Sequence, residues 1–313
     1  MQALTHRSPA LRPEHHMPQR YAEAAVHAFC SATGRLAVRS LYDELALYPK
    51  PGLVSMVDSG SHDDMHAGTF LRSLFALRHY FIDITAAGLR HAPFEALRQL
   101  GIDAERRMMT ATSGINTHRG AIFCLGMLCA AAGACLARKT PLSPAAIRAA
   151  LLAEWGPALL AHTASTGCGA SSHGLRVGAA YGIGGAREEM AQGLPSVFDV
   201  ALPALQRTLA AGRDPRAARI DTLFALMAHM CDTNVYHRGG AAGADLVRAS
   251  ARAFLDRGGT SHPGWEAAVL DCHRLFSAKR LSPGGAADLL AATCFVHQLT
   301  SGCAPDLRNE SKR

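Results

Sequence analysis

Residues 121–137 run without one charged side chain. The stretch holds Gly126, Gly133, alanines and cysteines, with few large apolar groups. A membrane crossing needs about 20 predominantly apolar residues, so this segment is short for one. It predicts a buried helix instead. Elsewhere alanine is abundant, aromatic residues are only 6%, and runs of strand-favouring residues are scarce. Phe70, Leu74, Leu77 and Phe81 recur at steps of four, three and four, a helical face. Ile220, Leu223, Phe224, Met227 and Met230 mark another. With 49% hydrophobic and 18% charged residues, the chain has material for a sizeable core and is not mostly disordered. The fold class expected is all-α: one compact multi-helix domain, its active-site cleft formed by loops at helix ends.

The 313 residues divide into a loose arm rich in His and Pro (1–18), a helical domain (19–300) and a flexible tail (301–313). A first helix over about 22–47 is broken by Tyr48-Pro49-Lys50-Pro51-Gly52. Ser143-Pro144 reads as the cap and first residue of a helix. The Gly- and Ser-rich segment 163–185 reads as a mobile loop and carries no phosphate-loop motif. A last helix covers about 286–299, and no internal repeat is present.

A net charge of +7 favours anionic partners. Only four of the 32 basic residues are lysines, and arginine's planar fork suits phosphate oxygens. No basic stripe with interleaved aromatics occurs, so nucleic acid is not the expected partner. Nine cysteines, an odd number with no CxxC, predict buried free thiols in a reducing compartment. The first 20 residues hold no apolar h-region. The expected location is the cytoplasm, away from membranes.

Five polar clusters fall at predicted helix ends. The first joins Lys50 to Asp58, His62, Asp63, Asp64 and His66. Such carboxylates suit Mg²⁺, which takes oxygen ligands and keeps waters and phosphates; Asp63 and Asp64 could equally cap the next helix. His62 and His66 would share a face if helical, a weak likeness to the HExxH zinc motif. The second, Asn116-Thr117-His118-Arg119, opens the apolar helix, where free N–H groups favour an anion and Arg119 could grip phosphate. The third is Arg187-Glu188-Glu189, otherwise a surface charge run. The fourth is Asp232-Thr233-Asn234 with Arg238-Gly239-Gly240, which could hold a metal or ribose, or be a helix C-terminal turn with a glycine stop. The fifth, Ser282-Pro283-Gly284-Gly285, looks structural, with Asp288 a possible addition to the site.

Six segments carry a resemblance over about residues 40–295: PKPGLV (49–54), SGSHDDM (59–65), GINTHRGAIF (114–123), GIGGAREE (182–189), DTNVYHRGG (232–240) and SPGGAADLL (282–290). In this order they resemble the triphosphoribosyl-dephospho-CoA synthase family, and GINTHRGAIFCLG looks closest to its malonate decarboxylase branch. The resemblance implies an all-α transferase that uses ATP and 3′-dephospho-CoA and releases adenine. Its product would reach a holo-acyl-carrier transferase and the carrier subunit of malonate decarboxylase or citrate lyase. Bond breaking at ribose C1′ would build positive charge on the sugar, as in glycoside cleavage. Lys50, Arg119, Arg187 and Arg238 are then candidates for phosphate, with Glu188 beside them. Asp58, Asp63, Asp64 and Asp232 are candidates for base or cation stabiliser, and Asp63, Asp64 and Asp232 for Mg²⁺. His62 or His118 could act near neutral pH, and Asn116 and Asn234 could orient hydroxyls. An exposed apolar helix face could support a homodimer. Two alternatives stand beside this reading: an HD-type metal phosphohydrolase, prompted by His62-Asp63 and Asp232, and a non-catalytic nucleotide- or CoA-binding maturation factor.

Overall fold

The structure, a computed structural model, describes residues 19–164 and 185–301. The expected arm, most of the 163–185 loop and nearly all of the tail lie outside them. The helices are α1 (Gln19–Leu45), α2 (Ala67–Leu89), α3 (Phe94–Ala111), α4 (Arg119–Ala137), α5 (Pro144–Ala164), α6 (Ala186–Ala191), α7 (Leu202–Ala210), α8 (Pro215–His229), α9 (Thr233–Asp256), α10 (Trp265–Ala278) and α11 (Gly284–Thr300). A π-helical turn, Ser196–Ala201, precedes α7, and a 3₁₀ turn, Gly259–Ser261, follows α9. No strand forms among the described residues, so the all-α expectation holds.

The uncharged stretch is α4, and it lies at the centre. By length and composition alone it could cross a membrane, yet it is enclosed by the rest of the chain. α1, α2, α3, α5 and α11 all pack on it. Its small residues are the reason it fits. A Cβ on Gly133 would come 2.2 Å from the Thr85 carbonyl oxygen of α2, and one on Gly88 of α2 would come 2.0 Å from that of Ala130. The two backbones therefore touch where a larger residue would hold them apart. Tyr80, fully buried, donates across the same contact to the Ile122 carbonyl at 2.9 Å. The second half of the chain builds a smaller group in which α8 packs against α7, α9 and α11.

Helix starts follow the expected chemistry in several places. Pro144 is the first residue of α5, and Ser143 Oγ accepts from the Ala146 N–H at 3.1 Å. Asp214 caps α8 ahead of Pro215, accepting from the Ala217 N–H at 2.9 Å. The region of Asp232 departs from the glycine-stop alternative. α8 ends at His229, and Asp232 caps a new helix rather than closing the old one. Gly240, at φ 60° and ψ −160°, breaks α9 in its middle, and the helix then resumes to Asp256. Among the described residues every cysteine is a free thiol, and Cys30, Cys124, Cys129, Cys135 and Cys294 are buried.

Candidate active site

After α1 the chain turns through Tyr48–Gly52 and lies against the turn that precedes α11. Gly52 has φ 67°, and a Cβ there would sit 2.1 Å from the Leu281 carbonyl oxygen, so only glycine fits. The turn buries Lys50 to 1% exposure. Its Nζ donates to Glu44 Oε1 at 2.5 Å and to the Glu44 carbonyl at 2.9 Å. Burial pushes the ammonium pKa down, while Glu44 and Asp58 hold it up. Lys50, a candidate phosphate ligand, is thus turned inward on an acid that sequence reasoning did not single out.

Asp232 ties two helix heads together. One carboxylate oxygen accepts from the Asn234 N–H of α9 at 2.9 Å, the other from the Ala286 N–H of α11 at 3.0 Å. Burial raises its pKa, and these N–H groups oppose the rise. Asp288 follows in α11 and meets the head of α4, where a Cβ on Gly120 would come 2.2 Å from Asp288 Oδ2. Burial, then the negative charges of Glu44 and Asp232, push the Asp288 carboxyl well above the ordinary carboxylate range. Asp288 thus feels the charges of Glu44 and Asp232, and Glu44 in turn holds the Lys50 ammonium.

His118 stands at the head of α4 and is 2% exposed. Its Nδ1 lies 2.6 Å from Ser73 Oγ, and the Phe70 ring meets it edge-on at 5.0 Å. Burial, helped by Lys50, pushes its pKa down to about 3, so the imidazole is neutral. His118 Nε2 and Thr117 Oγ1 are buried with no hydrogen-bond partner among the described residues; such a group costs about 1–3 kcal/mol. Asn116 Oδ1 accepts from the Arg119 N–H at 3.1 Å and so helps close the α4 terminus. Arg119 itself leans on Glu105 of α3, its Nε 2.7 Å from Oε1, and stays partly exposed.

The acidic loop before α2 divides in two. Asp58 faces inward: Oδ1 accepts from the Gly60 N–H at 2.9 Å and Oδ2 lies 3.2 Å from His273 Nε2. His273 Nδ1 reaches the Lys50 carbonyl at 2.8 Å, joining Asp58 to the Lys50 turn. His62 Nδ1 lies 3.0 Å from Arg238 and its Nε2 2.9 Å from Ser282 Oγ. Arginine only donates, so Nδ1 accepts and the ring is neutral; burial, then Arg238, lower its pKa. Arg238 also donates to the Ser61 carbonyl at 3.1 Å. Asp63, by contrast, pairs with Arg280 at 2.6 Å with both side chains largely in solvent, and Asp64 is exposed 3.6 Å from His62.

Two alternatives for this loop are corrected by the structure. The cap of α2 is His66, whose Nδ1 accepts from the Gly68 N–H at 3.1 Å, not Asp63 or Asp64. His62 and His66 both precede α2, so they share no helical face. Among the described residues no three His, Cys, Asp or Glu side chains gather as a preformed metal cage.

Arg187 on α6 donates to the His162 carbonyl at 3.2 Å, and Glu188 is exposed. Gly182 to Gly184, expected beside them, lie outside the described residues. Glu189 is half-buried and accepts from the Ser196 N–H at 2.7 Å. Asn234 sits at the α9 head, its side chain against Gly284. Glu44, Ser73, His273 and Arg280 belong to this region and no sequence motif had marked them, while Ser282, read as structural, bonds His62.

The heads of α4, α9 and α11 thus bring together acids, a buried ammonium and a neutral imidazole whose pKa values are displaced, a combination able to move protons. Residues 30–305 match the family model described as CitG, ATP:dephospho-CoA triphosphoribosyl transferase. The chain belongs to that family and is a transferase. A relative from Acinetobacter calcoaceticus is 42% identical over 261 residues, covering 83% of this chain and 88% of the relative. One from Pseudomonas fluorescens is 38% identical, covering 86% and 91%. One from Vibrio cholerae is 37% identical, covering 85% and 87%. Each is named probable 2-(5''-triphosphoribosyl)-3'-dephosphocoenzyme-A synthase. No solved structure matches the chain.

Proposed function

We propose that the chain moves the 5-triphosphoribosyl group of ATP to the 2′-hydroxyl of 3′-dephospho-CoA and releases adenine. The observation that carries the chemistry is the meeting of three helix heads on Asp232 and Asp288 beside the Lys50–Glu44 pair. In this reaction the bond from C1′ to adenine breaks and its electron pair leaves with the base. A new bond joins C1′ to the hydroxyl oxygen, the hydroxyl loses a proton and adenine gains one. We assign the proton given to adenine to Asp288, whose carboxyl burial and neighbouring acids push toward the protonated form. Asp58, held by the Gly60 N–H and His273, is the carboxylate we assign to the hydroxyl proton. The α4 head and Arg238 receive the triphosphate, and Arg119 and Arg187 add positive charge around them.

Mg²⁺ enters with the triphosphate as part of the donor substrate. It commonly takes one or two carboxylates together with phosphates. Asp63 and Asp64, exposed beside Arg238 and His62, fit that mode, whereas both oxygens of Asp232 already accept backbone N–H groups. The phosphohydrolase alternative requires converging metal ligands, which the described residues lack.

We further read the product as the prosthetic-group precursor for the malonate decarboxylase carrier subunit, on the strength of GINTHRGAIFCLG at 114–126. Incubation with ATP, Mg²⁺ and 3′-dephospho-CoA, followed by chromatography and mass spectrometry, tests the reaction. Free adenine with triphosphoribosylated dephospho-CoA is expected. ADP or phosphate without adenine would overturn the reading. Offering the product and each matching holo-acyl-carrier transferase to the two carrier subunits tests the branch.

A further inference from the structure

The hydroxyl of Ser73 behaves unlike four other buried helical hydroxyls. Ser40, Thr85, Thr222 and Thr293 each donate to the carbonyl four residues back. Ser73, 0% exposed on α2, makes its one hydrogen bond among the described residues to His118 Nδ1, at 2.6 Å. A buried O–H with one available acceptor donates to it. Nδ1 therefore accepts and carries no hydrogen. In a neutral imidazole the single ring proton is then on Nε2, and that atom is buried with no partner among the described residues. Thr117 Oγ1, on the preceding residue, also has no partner among the described residues. The Lys50 ammonium, whose charge His118 feels, is itself paired with Glu44. The Nε2–H is a buried donor left to be satisfied at a helix N-terminus, and the oxygen of an anionic ligand satisfies it.

We propose that Ser73 is a positioning residue that locks His118 as the Nε2–H tautomer, and that this neutral ring donates a hydrogen bond to a phosphate oxygen of the substrate. The inference deepens the reading of the α4 head as a phosphate site and rests on it. His118 then neither takes nor gives a proton during transfer. The oxygen comes from the triphosphate of ATP or from the diphosphate of dephospho-CoA, and titration with each separates the two.

The test is ¹⁵N NMR of the full chain with ring-labelled histidine at pH 7, His118 assigned through His118→Gln. Nε2 should resonate as a protonated ring nitrogen and Nδ1 as an unprotonated one. Inorganic triphosphate should shift the Nε2–H proton if the ATP triphosphate is the partner; if only dephospho-CoA does so, the diphosphate is. Ser73→Ala should scramble the tautomer and raise KM for the matching substrate about tenfold with kcat little changed, and Ser73→Thr should restore both. Thermal melts check that each variant is folded. A protonated Nδ1 in the wild type, or an Nε2–H unmoved by either ligand, overturns the proposal. The NMR readout needs no turnover, so a failed transfer assay and a failed tautomer assignment are told apart.

Discussion

Residues 58–66 pack five ionisable side chains into nine positions, whereas Glu44, Lys50, His118, Asp232 and Asp288 are scattered over most of the chain. In space the contrast reverses. Asp63, Asp64 and His66 of the dense segment stay exposed, while the scattered residues meet inside the protein. Density along the sequence reflects a solvated loop, which carries charge at little cost. A buried ionisable group must be matched by a partner brought from elsewhere, and here helix heads do the bringing. Burial accordingly shifts Lys50, His118, Asp232 and Asp288, and within the loop it shifts His62, the member tucked against Arg238 and Ser282.

The largest expected effect breaks the cluster at its one ammonium. Lys50→Met leaves Glu44 buried without its partner and adds to the repulsion among the acids. It should destabilise the fold by about 3–5 kcal/mol, read by urea or thermal unfolding. A loss no larger than that of a surface substitution would mean the pair is not buried as described.

Next comes the pH dependence of His118. Its folded pKa of about 3 lies below the ordinary value of 6.5, so the unfolded chain binds the extra proton first. Stability is therefore lost as pH falls below 6.5 toward 3. Between pH 6.5 and 5 this one group should remove roughly 2 kcal/mol. Asp288 acts in the opposite sense: its raised pKa makes the folded state hold a proton that the unfolded chain releases, so its penalty appears as pH rises above the unfolded value near 3.8. Melting His118→Gln beside the wild type at pH 7 and pH 5 isolates the histidine, and the gap between the two proteins should narrow or reverse at pH 5.

The smallest effect belongs to the exposed loop. Asp63 and Arg280 are 76% and 67% exposed, and exposed pairs contribute only about 0–1 kcal/mol. Asp63→Asn should leave the melting temperature within a degree or two of the wild type. If the loop meets Mg²⁺ on the triphosphate, the change raises KM for Mg–ATP and spares kcat.

Much of the scaffold was legible in local chemistry. The uncharged run announced α4, the 70–81 periodicity announced α2, and Ser143-Pro144 marked the start of α5. The head of α9 was harder, because only three residues separate α8 from α9. An aspartate there follows one helix and precedes another, and sequence does not say which it serves. Asp288 was flagged beside the SPGG turn, but its displaced protonation comes from Glu44 and Asp232, which only the fold brings near. Ser73 carried no signal at all. A serine inside a helix ordinarily bonds its own backbone, and only the position of His118 reveals that this one does not.

The central claim is that the buried helix heads, rather than the dense acidic loop, carry the chemistry. The rate of adenine release by Asp288→Asn, set beside that of the double variant D63N/D64N, tests it most directly. An amide mimics the protonated carboxyl in shape yet cannot deliver its proton. Asp288→Asn should therefore melt like the wild type while kcat falls about 10²–10⁴-fold, and the loop variant should change mainly KM for Mg–ATP. Near-normal turnover in folded Asp288→Asn, with kcat lost in the loop variant instead, would contradict the account.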